Sequence, residues 1–514
     1  MTFHFEPQPI GAIPAFDLSL TAAQRALTVQ PDLETAFLAR GEAENNLRQL
    51  LTPGSYCVTT GQQPLLLLGP LFTVYKALST AAVAAKFSAE LGKPVIPVFW
   101  VGGDDHDFAE MNHVFIPGRD ASVQRVELRQ RVPADPLTPA YREPVGNEIN
   151  ELLRKVIEAQ PRSEFIPDLE RWLGAAYRTD TNLADAFAEA LAELLGRFGV
   201  VVLKSWDEVV KRAAAPLLEQ GLNKASEIQS GLERRATELK REGQRIPVRV
   251  NDPATTVMIE GSLGRDRLTL GDDGGFVTRR SGELFTLDQL SELLRSDPSR
   301  FSGNVLLRPV IEAGLLPTLA YLGGGVELAY LPQSDPIYET LEIMPQLRLP
   351  RWAGRVIEHR VQKTLDKYGI KADDLEGSEG RLETDLVKDR LSPDTVTALE
   401  RVADAIETQY DNLGREAVRI DSTLERSVES ARNTTLATLK RLENKILRHL
   451  KDRDETLVAQ LMRARNELFP AGKPQERVFG VIPYLARHGD RFLDSVFAEC
   501  LEWAAALEPS ARTS

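Results

Sequence analysis

The sequence has 514 residues, of which 42% are hydrophobic and 27% charged, so the chain can bury a large core over about two to four domains. Its 62 basic and 75 acidic residues leave a formal net charge of −13, which disfavours nucleic acid and anionic membrane surfaces as partners. The N-terminal segment has no signal-peptide pattern, and no run approaches the roughly 18 apolar residues of a membrane span. The only cysteines are Cys57 and Cys500. These three observations together predict a protein of the reducing cytoplasm.

A strand–helix–strand unit is the clearest pattern in the first hundred residues. The apolar run at 56–60 predicts a short buried strand that stops at Gly61. Residues 70–91 have helical spacing, with Gly92 as a C-cap, and the apolar run at 95–101 predicts a second strand. Two strands joined by one helix over about 45 residues form a βαβ unit, so the two strands should be parallel neighbours.

The other predicted elements before residue 325 mix helices with short strands. They are a helical stretch at 21–50, helices within 147–196, a strand at 199–204, helices at 207–243 and turn-rich strands at 246–285. We interpret much of 130–290 as insertion into and elaboration on the core. The core resumes in the apolar runs at 304–310 and 315–322, and the second run ends in a glycine cluster at 323–325.

A different pattern begins at Ser392, which is a good N-cap and is followed by Pro393 at the first helical position. From there to residue 468, apolar residues recur at alternating three- and four-residue steps, which is the spacing of a coiled-coil seam. An unbroken helix of this length would span on the order of 115 Å, so we expect a folded-back hairpin or a pairing between chains. The prolines in 470–474 end the pattern, and an amphipathic segment follows.

Polar residues follow both strands of the βαβ unit. Gly61, Gln62 and Gln63 follow the first strand, and Gly-Gly-Asp-Asp-His-Asp at 102–107 follows the second. Ligands bind beyond the carboxyl ends of strands in open parallel sheets, so both clusters should face one crevice. A tight turn at Gly61 would aim backbone amides at a carboxylate or phosphate, with both glutamines as donors and acceptors. The alternative is an ordinary strand-to-helix turn with solvent-facing glutamines.

The acidic loop, which we define as Asp104, Asp105, His106 and Asp107, combines three carboxylates with one imidazole. It could bind a divalent cation, orient a base or hold an ammonium group. The neighbouring carboxylates should raise the pKa of His106. The alternative is a helix N-cap, which one of the aspartates should form in any case.

Several single residues are weaker candidates. His113 would share a face with His106 if the stretch between them were helical, but it could equally be a hydrogen-bonded core histidine. Gly323, Gly324 and Glu327 follow an apolar run in a pattern that only weakly resembles a phosphate loop. Arg308 could pair with a substrate carboxylate or with a local acid.

Taken together, the motifs resemble the cysteine-adding enzyme family of bacillithiol biosynthesis (BshC). They occur in the family's order over most of the chain. The segments that carry the resemblance are 60–63, 69–76, 97–100, 104–108, 112–113, 301–309, 316–321, 323–330 and 475–477. The chain departs from the family's pattern at Leu65, Leu68, Gly325, Val326 and Leu331.

The resemblance implies an α/β fold with a Rossmann-like parallel-sheet core similar to class I synthetases, an inserted connecting-peptide domain and a long α-helical coiled coil that makes homodimers. The corresponding boundaries are 1–130 and 291–390 for the two parts of the core, 131–290 for the insertion, 391–470 for the coiled coil, and 471–514 for a segment that returns to the core.

The resemblance also implies a reaction, in which L-cysteine is attached to the amine of glucosaminyl-malate to give bacillithiol. ATP or ADP is associated with the family, and no metal is expected. The implied catalytic residues are Asp105, His106 and Asp107. The implied substrate-binding residues are Gly61, Gln62, Gln63, Lys76, Asp104, His113, Arg308, Gly323, Gly324, Glu327 and Tyr330, and Arg477 is a candidate for binding nucleotide.

Two other functions stay open at this point. The chain could be a nucleotide-binding synthetase-like enzyme that activates another amino acid, although it has neither a His-x-Gly-His signature nor a Lys-Met-Ser-Lys-Ser loop. It could also be a coiled-coil scaffold that has lost its chemistry. The intact acidic and glutamine clusters argue against a scaffold.

Overall fold

The structure is a computed structural model that describes residues 3–25, 27–118, 122–250, 253–271, 274–377, 381–388 and 391–508. Its strands are β1 (Phe3–Pro7), β2 (Phe37–Leu38), β3 (Tyr56–Gln62), β4 (Val95–Val101), β5 (His113–Pro117), β6 (Val123–Glu127), β7 (Val201–Lys204), β8 (Ala254–Gly261), β9 (Gly264–Leu270), β10 (Phe276–Thr278), β11 (Leu284–Phe285), β12 (Phe301–Gly303), β13 (Thr318–Gly323), β14 (Leu347–Pro350) and β15 (Gly354–Glu358).

Helices occur between these strands, throughout the apolar seam and after it. They are α1 (Leu18–Ala23), α2 (Glu42–Leu50), α3 (Phe72–Leu91), α4 (Phe108–Met111), α5 (Glu148–Glu158), α6 (Ile166–Ala176), α7 (Leu183–Leu195), α8 (Glu208–Asn223), α9 (Ala225–Arg241), α10 (Leu287–Ser296), α11 (Arg308–Leu315), α12 (Gly325–Tyr330), α13 (Asp335–Thr340), α14 (His359–Tyr368), α15 (Arg381–Lys388), α16 (Pro393–Ile420), α17 (Glu425–Arg453), α18 (Glu455–Leu468), α19 (Ile482–His488) and α20 (Arg491–Ala505).

The chain divides into two compact units. The sheet unit consists of Phe5–Gly118, Val123–Arg355 and Gln475–Ser514, and the coil unit consists chiefly of Val356–Pro474. No helix among the described residues is both long and apolar enough to cross a membrane.

A six-stranded sheet forms the centre of the sheet unit, in the order β14-β13-β3-β4-β7-β2. Its neighbours are parallel except for β2, which runs antiparallel to β7. Strand β4 is buried along its whole length, because parallel strands are covered on both faces. The βαβ prediction is confirmed: β3 and β4 are parallel neighbours joined by α3, and α3 ends at Gly92 in the left-handed conformation (φ 62°).

Two local predictions for this unit are wrong. Strand β3 does not stop at Gly61 but continues to Gln62, and Gly61 has no positive φ. A Cβ added at Gly61 would come within 2.9 Å of the Trp100 carbonyl oxygen. Glycine is therefore needed where β3 and β4 approach each other closely. The stretch 21–50 is not one helix, because a 3-10 turn beginning at Pro31 and the short strand β2 separate α1 from α2.

The second sheet of this unit is antiparallel, in the order β11-β10-β9-β8-β12. Alternation along its strands divides its side chains between two faces. Val257 and Ile259 of β8, Leu268 of β9 and Phe301 of β12 belong to the hydrophobic core. The opposite face therefore carries Met258, Arg265, Arg267 and Ser302, since Met258 pairs with Arg267 and with Ser302 in the strand register.

The coil unit contains an antiparallel hairpin of α16 and α17, so the seam folds back within the chain. Ser392 caps α16 as predicted, with its hydroxyl accepting from the Thr395 amide at 3.2 Å. The turn at 421–424 begins with Asp421, whose carboxylate accepts from the Thr423 amide. Facing residues bond across the hairpin, as Tyr410 and Thr435 do through their hydroxyls at 2.9 Å. The end of the seam, in α18, packs on α14 around Leu457 and Leu461.

Candidate functional site

A cleft of about 680 Å³ opens beyond the carboxyl ends of β3 and β4. Both predicted clusters line it, so the expectation that they face one crevice is confirmed. The predicted site residues on its walls are Gly61, Gln62, Gln63, Asp104, Asp105, His106, Asp107, Arg308, Glu327 and Tyr330.

Lys76 of α3 organises the floor of this cleft. Its ammonium donates to the Gly61 carbonyl at 2.8 Å and to Oε1 of Gln62 at 3.0 Å, and it pairs with Glu327 at 2.5 Å. Gln62 in turn donates through Nε2 to Gln63 at 3.1 Å. Lys76 therefore fixes the orientation of Gln62, and Gln62 fixes that of Gln63, so the two glutamines are not ordinary solvent-facing turn residues. Their ordered amides offer a polar ligand fixed donors and acceptors.

The charges of Lys76 and Glu327 support each other inside the protein. Burial lowers the pKa of Lys76, while Glu327 opposes that shift. Burial also works against the charge on Glu327, but the Lys76 ammonium and the Gly324 amide outweigh it and hold the Glu327 pKa below its usual range. Each charge therefore offsets part of the burial penalty of the other.

Arg308 forms the second buried ionic group beside the cleft. Its guanidinium donates to Glu312 at 3.0 Å and to the Tyr321 hydroxyl at 3.3 Å, and Glu312 also accepts from Thr59. Tyr321 donates on to Glu327 at 2.6 Å, which joins this group to the Lys76 pair. The predicted pairing of Arg308 with a local acid is therefore observed.

Lys211 of α8 holds the acidic loop in place. It pairs with Asp104 and also donates to the Phe301 carbonyl at 2.8 Å. Asp107 caps α4 by accepting from the Glu110 amide at 3.1 Å, as expected for one of the aspartates, and Asp105 accepts from the Asp107 amide at 3.0 Å. Asp105 and Asp107 each keep acceptor capacity toward the cleft, because a carboxylate can accept several hydrogen bonds.

The neighbouring carboxylates act to raise the pKa of His106, as predicted, but they do not decide the direction of the net shift. Burial, and after it the charge of Arg265, lower that pKa to about 4, against the opposing effect of Asp105 and Asp107. An Arg265 nitrogen lies 3.3 Å from Nδ1 of His106. Because arginine can only donate, Nδ1 is the acceptor and the proton of the neutral ring sits on Nε2.

An arginine-bearing wall faces the acidic loop and was not predicted. It is the outward face of the antiparallel sheet, with Arg265 and Arg267 as its cations and the nearby Arg279 and Arg280 at its rim. Strand alternation could have flagged Arg265 and Arg267 as sharing a face, but nothing in the sequence places that face opposite β4. Lys211 and Glu312 also carried no recognisable signal, because each lies in an ordinary helical pattern.

Five predicted residues do not line the cleft. Lys76 is buried and acts on the cleft only through its contacts with Gly61, Gln62 and Glu327. His113 begins strand β5 and does not share a helix face with His106, since α4 spans one turn only; its ring Nδ1 lies 3.1 Å from the Ala109 carbonyl. Gly323 and Gly324 lie behind Glu327, which accepts from the Gly324 amide at 2.9 Å and so occupies the α12 N-terminus where a phosphate would sit. Arg477 is exposed in a 3-10 turn outside the cleft walls.

No group of three or more histidine, cysteine, aspartate or glutamate side chains is arranged to hold a metal ion in the described parts of the chain. Two aspartates of the acidic loop already have partners, since Asp104 pairs with Lys211 and Asp107 accepts from the Glu110 amide.

The fold and the cleft define a Rossmann-like α/β protein with a charged cleft at the carboxyl ends of its parallel strands, where proteins of this class bind their ligands. The model of the N-terminal Rossmann-like domain of the bacillithiol biosynthesis protein BshC matches residues 26–352, and that of its C-terminal coiled-coil domain matches residues 355–504. The chain belongs to the BshC family.

Full-length relatives agree with this membership. Proteins named "Putative cysteine ligase BshC" include one from Salinibacter ruber, 30% identical over 500 residues, which covers 96% of this chain and 90% of the relative. Another from Koribacter versatilis is 32% identical and covers 92% of this chain and 87% of the relative. One from Bacillus cereus (strain B4264) is 25% identical, with coverage of 91% and 86%. Their names describe a ligase, which is the enzyme class predicted from the sequence.

Proposed function

We propose that this protein is a ligase that joins the carboxyl group of L-cysteine to the amine of glucosaminyl-malate, giving bacillithiol. The observation that carries the proposal is the convergence of the glutamine cluster and the acidic loop on one cleft, in a chain whose relatives are named cysteine ligases. Two free cysteines, Cys57 and Cys500, and the mixed surface charge suit a cytoplasmic protein.

The reaction forms one amide bond, and the chain offers groups for each part of it. The attacking amine must lose a proton, which the carboxylate of Asp105 or Asp107 can accept. His106 is neutral and carries its proton on Nε2, so it can donate to the oxygen on which negative charge develops. Gln62 and Gln63 hold an anionic substrate group, with Lys76 fixing their orientation.

Activation of the cysteine carboxylate requires an energy source, and we propose ATP. Transfer of a phosphoryl or adenylyl group to the carboxylate would give it a leaving group, which departs with one carboxylate oxygen as the amine attacks.

A direct assay tests the function. The purified full chain is incubated with glucosaminyl-malate, L-cysteine and ATP, and bacillithiol is measured by mass spectrometry, with ATP omitted in a parallel reaction. We expect product only in the complete mixture, and less product with His106→Ala at unchanged thermal unfolding. Absence of product from the wild-type chain, in a mixture where a BshC relative makes it, would contradict the proposal.

We also propose that the coil unit joins two copies of the chain. The α16–α17 hairpin leaves the apolar side chains Val402, Leu413 and Ile420 exposed at 47, 54 and 81% of their surface. They recur at helical spacing along one side of α16, next to the residues that face α17. A second copy would cover this stripe.

A further inference from the structure

The cleft has two walls of opposite charge. The acidic loop and Glu110 bring carboxylates from the carboxyl end of β4, while Arg265 and Arg267 come from the face of the antiparallel sheet. The walls meet at one point, where Arg265 lies 3.3 Å from His106. A molecule lying across this cleft would present a cationic end to one wall and an anionic end to the other.

Arg265 is a fixed part of the arginine wall. Its Nε donates to the Ser302 hydroxyl at 2.9 Å and its Nη2 donates to the Gly303 carbonyl at 2.8 Å. With the third contact to His106, the guanidinium is held in one orientation. Its positive charge is not neutralised by any of these partners, because a hydroxyl, a carbonyl and a neutral imidazole are all uncharged.

Arg267 lies beside Arg265 on the same face and is exposed. Its guanidinium forms no hydrogen bond or ion pair within the part of the chain that the structure describes. Thr256 lies two residues before Met258, the register partner of Arg267, and its buried hydroxyl has no hydrogen-bond partner in that part of the chain either. The Arg267 guanidinium is therefore open to pair with an anionic group of a molecule in the cleft.

We propose that the arginine wall, through Arg267 beside Arg265, binds the dicarboxylate end of the amine substrate while the acidic loop takes its ammonium end. This inference rests on the proposed function, in which the dicarboxylate is the malyl group of glucosaminyl-malate. It makes Arg267 a specificity-determining residue that selects the malyl conjugate over a simple glucosaminide.

The geometry favours a carboxylate over a nucleotide phosphate at this wall. Planar guanidinium groups pair with carboxylates through two parallel hydrogen bonds. Phosphate sites commonly add a helix N-terminus, and that of α12 beside the cleft is filled by the Glu327 carboxylate. The carboxylates of Asp105 and Asp107 across the cleft would also repel a polyphosphate and attract an ammonium group.

The test compares two ligands on matched variants of the full chain by calorimetric titration. Glucosaminyl-malate carries the two carboxylates, and methyl glucosaminide lacks them. Arg267→Gln removes the charge, Arg267→Lys keeps it without the fork, and Arg171→Gln makes the same change at an exposed arginine of α6. We expect Arg267→Gln to weaken the binding of glucosaminyl-malate about tenfold or more and to leave the binding of methyl glucosaminide unchanged. Arg267→Lys should be intermediate, and Arg171→Gln should match wild type.

Three outcomes would overturn the proposal. In the first, Arg267→Gln weakens the binding of ATP or pyrophosphate while glucosaminyl-malate binds as before, which would assign the arginine wall to a polyphosphate. In the second, no ligand is affected. In the third, the wild-type chain does not prefer the malyl conjugate to methyl glucosaminide.

The proposal and the proposed function fail in distinguishable ways. A wild-type chain that binds the conjugate through Arg267 but forms no bacillithiol contradicts the function alone. Bacillithiol formation with an unchanged KM for the conjugate in Arg267→Gln contradicts the arginine wall alone.

Discussion

The imidazole of His106 lies among charges of both signs. Asp105 and Asp107 flank it in the chain, Arg265 approaches Nδ1, and Arg131 donates to its backbone carbonyl at 3.2 Å. Burial and Arg265 lower its pKa to about 4 despite the carboxylates. Burial penalises the charged form of a histidine, and the arginine adds to that penalty, so the ring is neutral at neutral pH.

This shift predicts how stability depends on pH. A histidine in the unfolded chain has a pKa of about 6.5, so between about pH 6.5 and 4 the unfolded state binds more protons than the folded state at this site. The contribution of neutral His106 to the free energy of unfolding is therefore fully present above about pH 6.5, and it decreases as the pH falls toward about 4. We expect His106→Gln to lose less stability than wild type between pH 7 and 5, measured by urea unfolding at each pH. Parallel pH profiles for the two proteins would contradict the depressed pKa.

Some of the site residues were predicted because they lie at the end of a strand or directly after it. Gln62, Gln63 and the acidic loop were found because the rule for ligand sites in parallel sheets depends only on chain order. Arg265 and Arg267 could not be placed in this way, because they come from a separate antiparallel sheet whose packing opposite β4 is a tertiary contact. The sign of the His106 pKa shift was missed for the same reason, since it depends on burial and on Arg265.

At the scale of elements, strand β3 depends on Gly61 for its pairing with β4. An added Cβ would meet the Trp100 carbonyl oxygen at 2.9 Å, and a backbone atom in a paired strand cannot move aside cheaply. We expect Gly61→Ala to lower the free energy of unfolding by about 1–3 kcal/mol. Gly174→Ala is the matched control, because its added Cβ in α6 meets nothing within 4 Å, and it should raise that free energy by about 0.4–1 kcal/mol. Equal urea midpoints for the two variants would contradict this role of Gly61.

Elements with one strong local signal were predicted well. The fully apolar run at 95–101 lies in β4 at Val95–Val101, and Ser392 caps α16. The stretch 21–50 failed because Pro31 starts a 3-10 turn and because β2 completes the sheet edge beside β7, which is a tertiary pairing. The period of the apolar residues predicted the seam, but it did not say whether the helix continues or folds back. The turn at 421–424 depends on a local hydrogen bond of Asp421, which the spacing of apolar residues does not show.

At the scale of the whole molecule, the exposed stripe of α16 predicts self-association. Two helices of a hairpin cover only the sides that face each other, and Val402, Leu413 and Ile420 lie outside that contact. Apolar side chains at this spacing gain free energy when a second helix removes them from water. The mass in solution should therefore be twice the chain's 57.0 kDa at micromolar concentration.

A charge placed in the stripe tests which surface joins the copies. Leu413→Glu should shift the mass measured by light scattering toward that of one chain, because association would have to bury the new carboxylate. Thr408→Glu adds the same charge to an exposed position that helical spacing puts on the far side of α16, so it should leave the dimer intact. A wild-type mass of one chain would contradict association itself. A dimer that survives Leu413→Glu would instead assign the contact to another surface of the chain.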